Sequence, residues 1–212
     1  STGNLLNDAK TIIDRARAKA YATVNVALVE RNWLLGKRIA EEELQGEDRA
    51  AYGANVIKRL SKELTDEYGK GYTKSNLYQF CEFYKLFPEI FHTPCGKSAI
   101  LLSWSHYRTL LQVQDAEART WYMQESISQT WSVRTLQRNI SSQYYYRLLQ
   151  SQHKDLVEKE MLEITAPLQD TDKFEFVKNP VVAEFLGLAP NTDFTESRLE
   201  GAIITHLQKF MM

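Results

Sequence analysis

The sequence has few of the features that mark secreted or membrane-embedded chains. It contains two cysteines, Cys81 and Cys95, and Cys81 falls inside a predicted helix, so we expect no disulfide framework. It has no apolar run of about 18 residues, the length that a membrane helix needs. The N-terminus also lacks the apolar segment and cleavage site of a signal peptide. These absences predict a cytoplasmic protein with no membrane partner.

Neither sign of charge is in surplus. The 212 residues carry 26 Lys or Arg and 27 Asp or Glu, and the formal net charge is −1. This balance argues against a protein coated in positive charge, but it is compatible with a local basic face, because attraction to phosphate depends on where the charges lie. The hydrophobic content of 43% is typical of a globular chain. The length predicts one domain, or one domain plus part of another.

The motifs of common enzyme sites are missing as well. There is no glycine-rich phosphate loop, no paired-cysteine motif and no His-Glu-x-x-His helix. The four histidines fall in four separate predicted elements, where we expect surface or hydrogen-bonded core positions: His92, His106, His153 and His206. We therefore expect neither catalysis nor a cofactor in this chain alone.

Residues 1–50 predict a long N-terminal helix. An apolar residue recurs every seven positions at Leu6, Ile13, Ala20, Ala27 and Leu34, and no proline interrupts the pattern. At about 1.5 Å per residue, forty residues would span roughly 60 Å, which exceeds the width of a compact domain. This length favours packing on a second chain, hence a homo-oligomer. A helix folded back over its own domain fits the same pattern.

Residues 55 to 88 predict two helices joined by a tight turn. The glycines of Gly69-Lys70-Gly71 allow the turn, Thr73 occupies the N-cap position of the second helix, and Pro88 ends that helix. We expect the Thr73 hydroxyl to accept a hydrogen bond from a backbone N–H of the first turn. Apolar residues at spacings of three and four predict the buried face of the second helix: Leu77, Phe80, Tyr84 and Phe87.

The opposite face of this second helix begins with polar side chains, among them Lys74, Asn76 and Gln79, with Lys70 in the turn before it. A helix-turn-helix protein inserts the N-terminal residues of its second helix into a major groove of DNA. Lysine suits phosphate, and Asn and Gln are the types that read adenine. An ordinary helical hairpin with a polar outer face fits the pattern equally well.

A second pair of helices is predicted in the same domain, residues 51–150. Asp115 and Ser132 occupy N-cap positions, and Trp131-Ser132 followed by Leu136 repeats the spacing of Tyr72-Thr73 followed by Leu77. Arg134, Gln137 and Arg138 project from the helix after Ser132, as candidate DNA contacts. Tyr144-Tyr145-Tyr146 extend this helix, either as core aromatics or as a stacking surface for single-stranded bases.

Residues 151–178 predict a charged helix followed, from Glu163, by an extended linker or an edge strand, because Pro167, Thr171 and Asp172 disfavour helix. Residues 179–212 predict further helices, the last capped by Thr195. The sequence stops at Met212 within this apolar helix, so we expect the first helices of a truncated second domain.

Five stretches together resemble the YhcG-type family of bacterial proteins. They are YGKGYTKSNLYQF, LSWSHYRTLL, WYMQESISQTWSVRTLQRNI, NPVVAEFLGL and ESRLEGAIITHLQKF. The resemblance implies an N-terminal helical DNA-binding domain followed by a nuclease domain of the PD-(D/E)XK class. It also implies that Glu200 is the helix glutamate of that nuclease, that the Asp and Glu-x-Lys strands are missing from this chain, and that the full-length protein uses Mg²⁺.

Two hypotheses of different classes follow. In the first, the chain is a mainly α DNA-binding and oligomerising module of a nuclease-family protein whose catalytic core lies elsewhere. In the second, it is a helical protein-interaction scaffold that dimerises and positions a nuclease without contacting DNA itself. Salt-dependent DNA binding discriminates between them.

Overall fold

The computed structural model describes residues 2–43, 49–91 and 102–169. All regular structure within these ranges is helical, which confirms the prediction of a mainly α fold. The helices are α1 (Thr2–Glu43), α2 (Arg49–Tyr68), a 3₁₀ turn (Lys70–Tyr72), α3 (Lys74–Leu86), α4 (Trp104–Leu110), α5 (Ala116–Ser128), α6 (Val133–Ser141), α7 (Tyr144–Gln150) and α8 (Lys154–Gln169). We call α2, the 3₁₀ turn and α3 the first helical pair, and α5 with α6 the second helical pair.

The second half of α1 packs against α3, and Gly36 is the point of closest approach. A methyl group on Gly36 would overlap the carbonyl oxygen of Phe80 and lie 3.1 Å from the amide nitrogen of Cys81. Glycine therefore permits backbone contact between the two helices, although it weakens α1 locally. Around this point the buried side chains of α1 are Val24, Leu28, Val29, Trp33 and Ile39.

An aromatic cluster joins α3 to α4. The ring of Phe83 lies 4.7 Å from that of Tyr107 and 5.4 Å from that of Trp104, measured between centroids. Both distances fall in the range at which tilted and edge-to-face aromatic pairs attract each other. Leu77, Phe80 and Phe87 of the predicted stripe are also buried, and Tyr84 is half-buried. The predicted inner face of α3 is therefore confirmed.

The helices from α5 to α8 are tied together by a buried tyrosine. The Tyr122 hydroxyl donates to the carbonyl of Asn139 at 3.2 Å and accepts from the backbone N–H of Tyr145 at 3.1 Å. One side chain on α5 thus fixes the end of α6 and the start of α7. Leu136 of α6, Tyr144 of α7 and Met161 of α8 complete this part of the core.

Two predicted boundaries were wrong. α6 does not continue into the tyrosines, because Gln143 adopts a left-handed conformation with φ of 54°. The extended linker does not begin at Glu163, since α8 runs on to Gln169 with Pro167 inside its last turn. The rest of the predicted linker and residues 179–212 lie outside the described residues.

The first part of α1 exposes its large apolar side chains. The side chains of Leu5, Leu6, Ile12 and Ile13 are 50–69% exposed. Leu34, which belongs to the predicted seven-residue repeat, is also exposed. The buried face of α1 therefore differs from the face that the repeat predicted. Across the described helices, none has the length and apolarity to cross a membrane.

Candidate nucleic-acid interface

Helix α6 presents one polar face to solvent. Arg134, Gln137 and Arg138 are exposed, whereas Thr135, Leu136 and Asn139 are buried against the rest of the domain. The three exposed residues lie on one side of α6 because residues three and four apart share a helix face. All three predicted contact residues of this helix therefore lie on its outer face.

The start of α6 is fixed by Ser132, as predicted. Its hydroxyl oxygen accepts from the backbone N–H of Thr135 at 3.1 Å and donates to the carbonyl of Leu168 at 2.8 Å. The cap satisfies one of the free N–H groups of the first turn. The second bond attaches the end of α8 to the start of α6, which fixes the direction of the candidate contact helix.

The turn before α6 is supported by a half-buried histidine on α4. The Nδ1 atom of His106 lies 2.7 Å from the Ser103 hydroxyl, and its Nε2 atom lies 2.9 Å from the Trp131 carbonyl. Nε2 therefore carries the proton and donates to the carbonyl, so Nδ1 accepts from the serine. Burial lowers the pKa of His106, which favours this neutral form. Ser103 thus bonds to His106 instead of capping α4 with its side chain.

The candidate contact residues of the first helical pair are less uniformly exposed than those of α6. Lys70, Thr73 and Lys74 are exposed, but Asn76 and Gln79 are half-buried. The Asn76 amide donates to the carbonyl of Gly71 at 2.9 Å, so it holds the 3₁₀ turn against α3. This side chain is already engaged, and it would have to break this bond to read a base.

Two further features of α3 differ from the expectation. Thr73 stands at the N-cap position, but its side chain makes no capping hydrogen bond, so the prediction for its hydroxyl was wrong. The Oε1 atom of Gln79 is buried and has no hydrogen-bond partner among the residues that the structure describes. An unsatisfied buried amide oxygen costs free energy, so Gln79 is a poor anchor for this helix.

Arg31 on α1 supports the first helical pair in a way that the sequence did not reveal. Its Nη1 atom donates to the Tyr72 hydroxyl at 3.1 Å, and its guanidinium carbon lies 5.3 Å from the centre of the Tyr72 ring. A contact between residues forty-one positions apart leaves no local signal in the sequence. Tyr68 lies beside Tyr72 with 56% of its surface exposed, adjacent to Lys70.

Residues 51–150 carry a positive net charge because they hold few acidic residues, with 12 Lys or Arg against 8 Asp or Glu. The rest of the chain contains 14 Lys or Arg and 19 Asp or Glu. Both candidate helices belong to this basic part. They are not in close contact with each other, but α4 packs against both. The candidate residues therefore form two separate groups in one domain.

The candidate catalytic residue, Glu200, lies outside the described residues. Within the described ranges, no group of three or more His, Cys, Asp or Glu side chains could hold a metal ion. The Mg²⁺ of the full-length protein therefore remains an expectation that comes from the family resemblance.

A family model described as the DUF1016 N-terminal domain matches residues 8–147. The chain belongs to this family. A curated relative named "Putative nuclease YhcG", from Escherichia coli (strain K12), is 35% identical over 229 residues, covering 95% of this chain and 60% of that protein. The resemblance to the YhcG-type family is thus confirmed, and the chain spans about 60% of the relative's length. No solved structure matches the chain.

Proposed function

We propose that this chain is the DNA-binding and self-associating module of a nuclease-family protein, with α6 as its main contact with DNA. The observation that carries the proposal is the outer face of α6, where Arg134, Gln137 and Arg138 are all exposed. Arginine binds phosphate through several donors, and glutamine can pair with adenine in the major groove. Lys70 and Lys74 supply a second, weaker phosphate contact.

The charge distribution supports the proposal. A protein that binds DNA electrostatically needs a basic surface, but the net charge of the whole chain need not be positive. Residues 51–150 contain more basic than acidic residues. No acidic residue occurs between Gln129 and Gln152, so the phosphates that approach α6 would meet no carboxylate from this segment.

The nuclease assignment rests on the relative's name and on the family resemblance. We place the PD-(D/E)XK core, with its Mg²⁺, in the longer protein, and we assign Glu200 to the helix that precedes the metal-binding strands. This chain alone should therefore bind DNA without cleaving it. A metal-dependent cleavage assay checks this, and cleavage that is abolished by Glu200→Ala would contradict it.

Binding of a labelled DNA duplex, measured by fluorescence anisotropy between about 50 and 200 mM salt, tests the DNA proposal. If the four basic residues Lys70, Lys74, Arg134 and Arg138 each neutralise one phosphate, the logarithm of affinity should fall with the logarithm of salt with a slope of about −3.6. Undetectable binding at low salt, or binding with no salt dependence, would contradict the proposal.

The exposed stripe on the first part of α1 supports the self-association. Leu5, Leu6, Ile12 and Ile13 form an exposed apolar face, which is unfavourable in water and is typical of an interaction surface. Sedimentation equilibrium should give an oligomer for the wild-type chain and a monomer for Leu6→Glu/Ile13→Glu. Ala18→Glu, on the opposite side of α1, is the control and should remain oligomeric.

The same stripe also favours the second candidate function, a scaffold that dimerises and positions a nuclease without touching DNA. That function predicts the same oligomer but no salt-dependent DNA binding. The anisotropy titration therefore separates the two candidates.

A further inference from the structure

A cavity of about 390 Å³ lies between α5, α7 and α8, away from the candidate DNA contacts on α6. We call it the α5–α7–α8 pocket. Its size falls in the range of pockets that bind small ligands or inserted side chains. Its lining combines aromatic rings, carboxylates and leucines, so its chemistry restricts what it can receive.

Three aromatic rings form one wall of the pocket. The ring of Trp121 lies 5.4 Å from that of Tyr144 at an interplanar angle of 80°, and 5.5 Å from that of Tyr145 at 47°. Rings inclined in this way present π faces from more than one direction. A cation that enters such a corner is attracted by the negative faces of the rings.

Two carboxylates face the same cavity, Glu125 on α5 and Glu158 on α8. Burial, together with the charges of Glu158 and Glu125, raises the pKa of Tyr144 to about 12. The two carboxylates therefore add negative charge beside the rings. Lys154 also lines the pocket, but one ammonium offsets only one of the two carboxylates. Electrostatics and ring chemistry thus both favour a positively charged occupant.

The rim of the pocket is aliphatic. The side chains of Leu149 and Leu162 line it and are 63% and 58% exposed. Large exposed leucines beside a pocket indicate a surface that is covered on binding. The occupant should therefore carry aliphatic side chains next to its positive charge.

The first part of α1 has this composition. Its exposed leucines and isoleucines are flanked by Lys10 and Lys19, which at about 3.6 residues per turn fall on the two edges of the apolar stripe. Residues 2–20 hold four Lys or Arg and two Asp, whereas residues 154–169, the whole of α8, hold two Lys and four Asp or Glu. α1 is one unbroken helix, and none of its described residues lines the pocket of its own chain.

We propose that the α5–α7–α8 pocket receives the exposed stripe of α1, Asn4 to Lys19, from a second copy of this chain. This inference rests on the self-association proposed above and names the surface that receives the helix. Isoleucine and leucine side chains of the incoming helix pack on Leu149 and Leu162, and a lysine ammonium lies against Trp121 and Tyr145 between the two carboxylates. Two copies that exchange their helices reciprocally form a closed, symmetric pair.

Charge reversal in the pocket tests the inference. Sedimentation equilibrium of the whole chain should show that Glu125→Lys/Glu158→Lys weakens self-association by roughly tenfold or more, because like charges then oppose each other. Glu125→Gln/Glu158→Gln should weaken it less. Glu82→Lys/Glu163→Lys makes the same change in net charge on other exposed surfaces and should leave self-association unchanged.

Complementation gives a second measurement. A pocket-reversed chain mixed with a Lys10→Glu/Lys19→Glu chain should form a mixed oligomer, since both stripe–pocket pairs then join opposite charges. A synthetic peptide of residues 4–20 should also quench or shift the fluorescence of Trp121, with the Trp121→Phe chain as the reference.

The outcomes of these experiments distinguish the pocket inference from the self-association proposal on which it rests. If the pocket variants associate as the wild type does while Leu6→Glu/Ile13→Glu is monomeric, self-association stands and the pocket inference is overturned. If the wild-type chain is monomeric, both are overturned. Binding of tetramethylammonium in the pocket without binding of the peptide also overturns the inference, because it assigns the pocket to a small cation.

Discussion

The two helical pairs differ in what holds their outer helices in place. In the first pair, α3 packs against α1 at Gly36, and its polar residues Asn76 and Gln79 are half-buried. In the second pair, α6 begins at a serine that caps the helix, and its polar residues Arg134, Gln137 and Arg138 are exposed. A residue that stabilises the fold is constrained by its neighbours, whereas a residue that meets a ligand must be accessible. The first pair therefore has the character of a structural element and the second that of a contact surface.

The turns of the two pairs show the same difference. Gly69 opens the first turn with φ of 99°, a conformation that glycine adopts without strain. The second turn places Thr130 at φ of 51°, which is uncommon for a β-branched residue. The Trp131 N–H closes this turn by donating to the Ser126 carbonyl at 3.1 Å. The second turn is thus held by its surroundings rather than by the intrinsic preference of its residues.

Gly36→Ala should produce the largest difference in stability between the two helical pairs. The added methyl group would overlap the Phe80 carbonyl, so α1 and α3 must separate, and we expect a loss of about 3 kcal/mol in the free energy of unfolding, the upper end of overpacking costs. Hydrogen exchange should accelerate in α1 and α3 more than in α5 and α6. Ala22→Ser, at an exposed position of α1, is the control. Equal acceleration in both regions would show that both helical pairs depend equally on the contact between α1 and α3 at Gly36.

Reversing the basic residues of each pair compares their contributions to DNA binding directly. Arg134→Glu/Arg138→Glu should weaken binding by roughly tenfold or more and flatten the salt slope by about 1.8. Lys70→Glu/Lys74→Glu, which changes the net charge equally, should have a smaller effect. Both are measured by anisotropy across salt. Unchanged affinity and slope in the arginine variant would exclude α6 as the main contact.

The sequence predicted the elements that depend on local patterns. The cap at Ser132, the start of α5 at Asp115 and the inner face of α3 all follow from residues within one or two turns of each other. The role of Gly36 could not be predicted, because its partner, Phe80, is distant in the sequence. Without that contact, a glycine inside a good helical pattern reads only as a weak point.

The same reasoning explains the uneven outcome for the candidate contact residues. The exposure of Arg134, Gln137 and Arg138 follows from the strong separation of apolar and polar residues on a short helix. The burial of Asn76 follows from a hydrogen bond to Gly71, which depends on how the 3₁₀ turn folds under α3. Polar character in the sequence marks a residue as able to bind DNA, but the fold decides whether its hydrogen bonds are already used.

The two N-caps should respond differently to removal of their hydroxyl groups. Ser132→Ala removes an acceptor for the Thr135 N–H and a donor to Leu168, so we expect a loss of about 1 kcal/mol in the free energy of unfolding. Thr73→Ala removes no capping bond and should change this free energy by only a few tenths of a kcal/mol. Denaturant unfolding of both variants measures the difference. Equal losses would mean that the hydroxyl groups contribute equally.

The smallest expected effects distinguish the roles of the side-chain amides of Asn76 and Gln137. Asn76→Ala breaks the bond to the Gly71 carbonyl, so it should lower the free energy of unfolding by about 0.5–1 kcal/mol while leaving the affinity for DNA nearly unchanged. Gln137→Ala should do the reverse, because an exposed side chain contributes little to stability, whereas loss of an amide–adenine contact weakens binding by about fivefold. Unfolding and anisotropy titrations on both variants provide the four measurements. If Asn76→Ala instead weakened binding without affecting stability, α3 would be the base-reading helix, because only an amide that leaves the turn for DNA could produce that result.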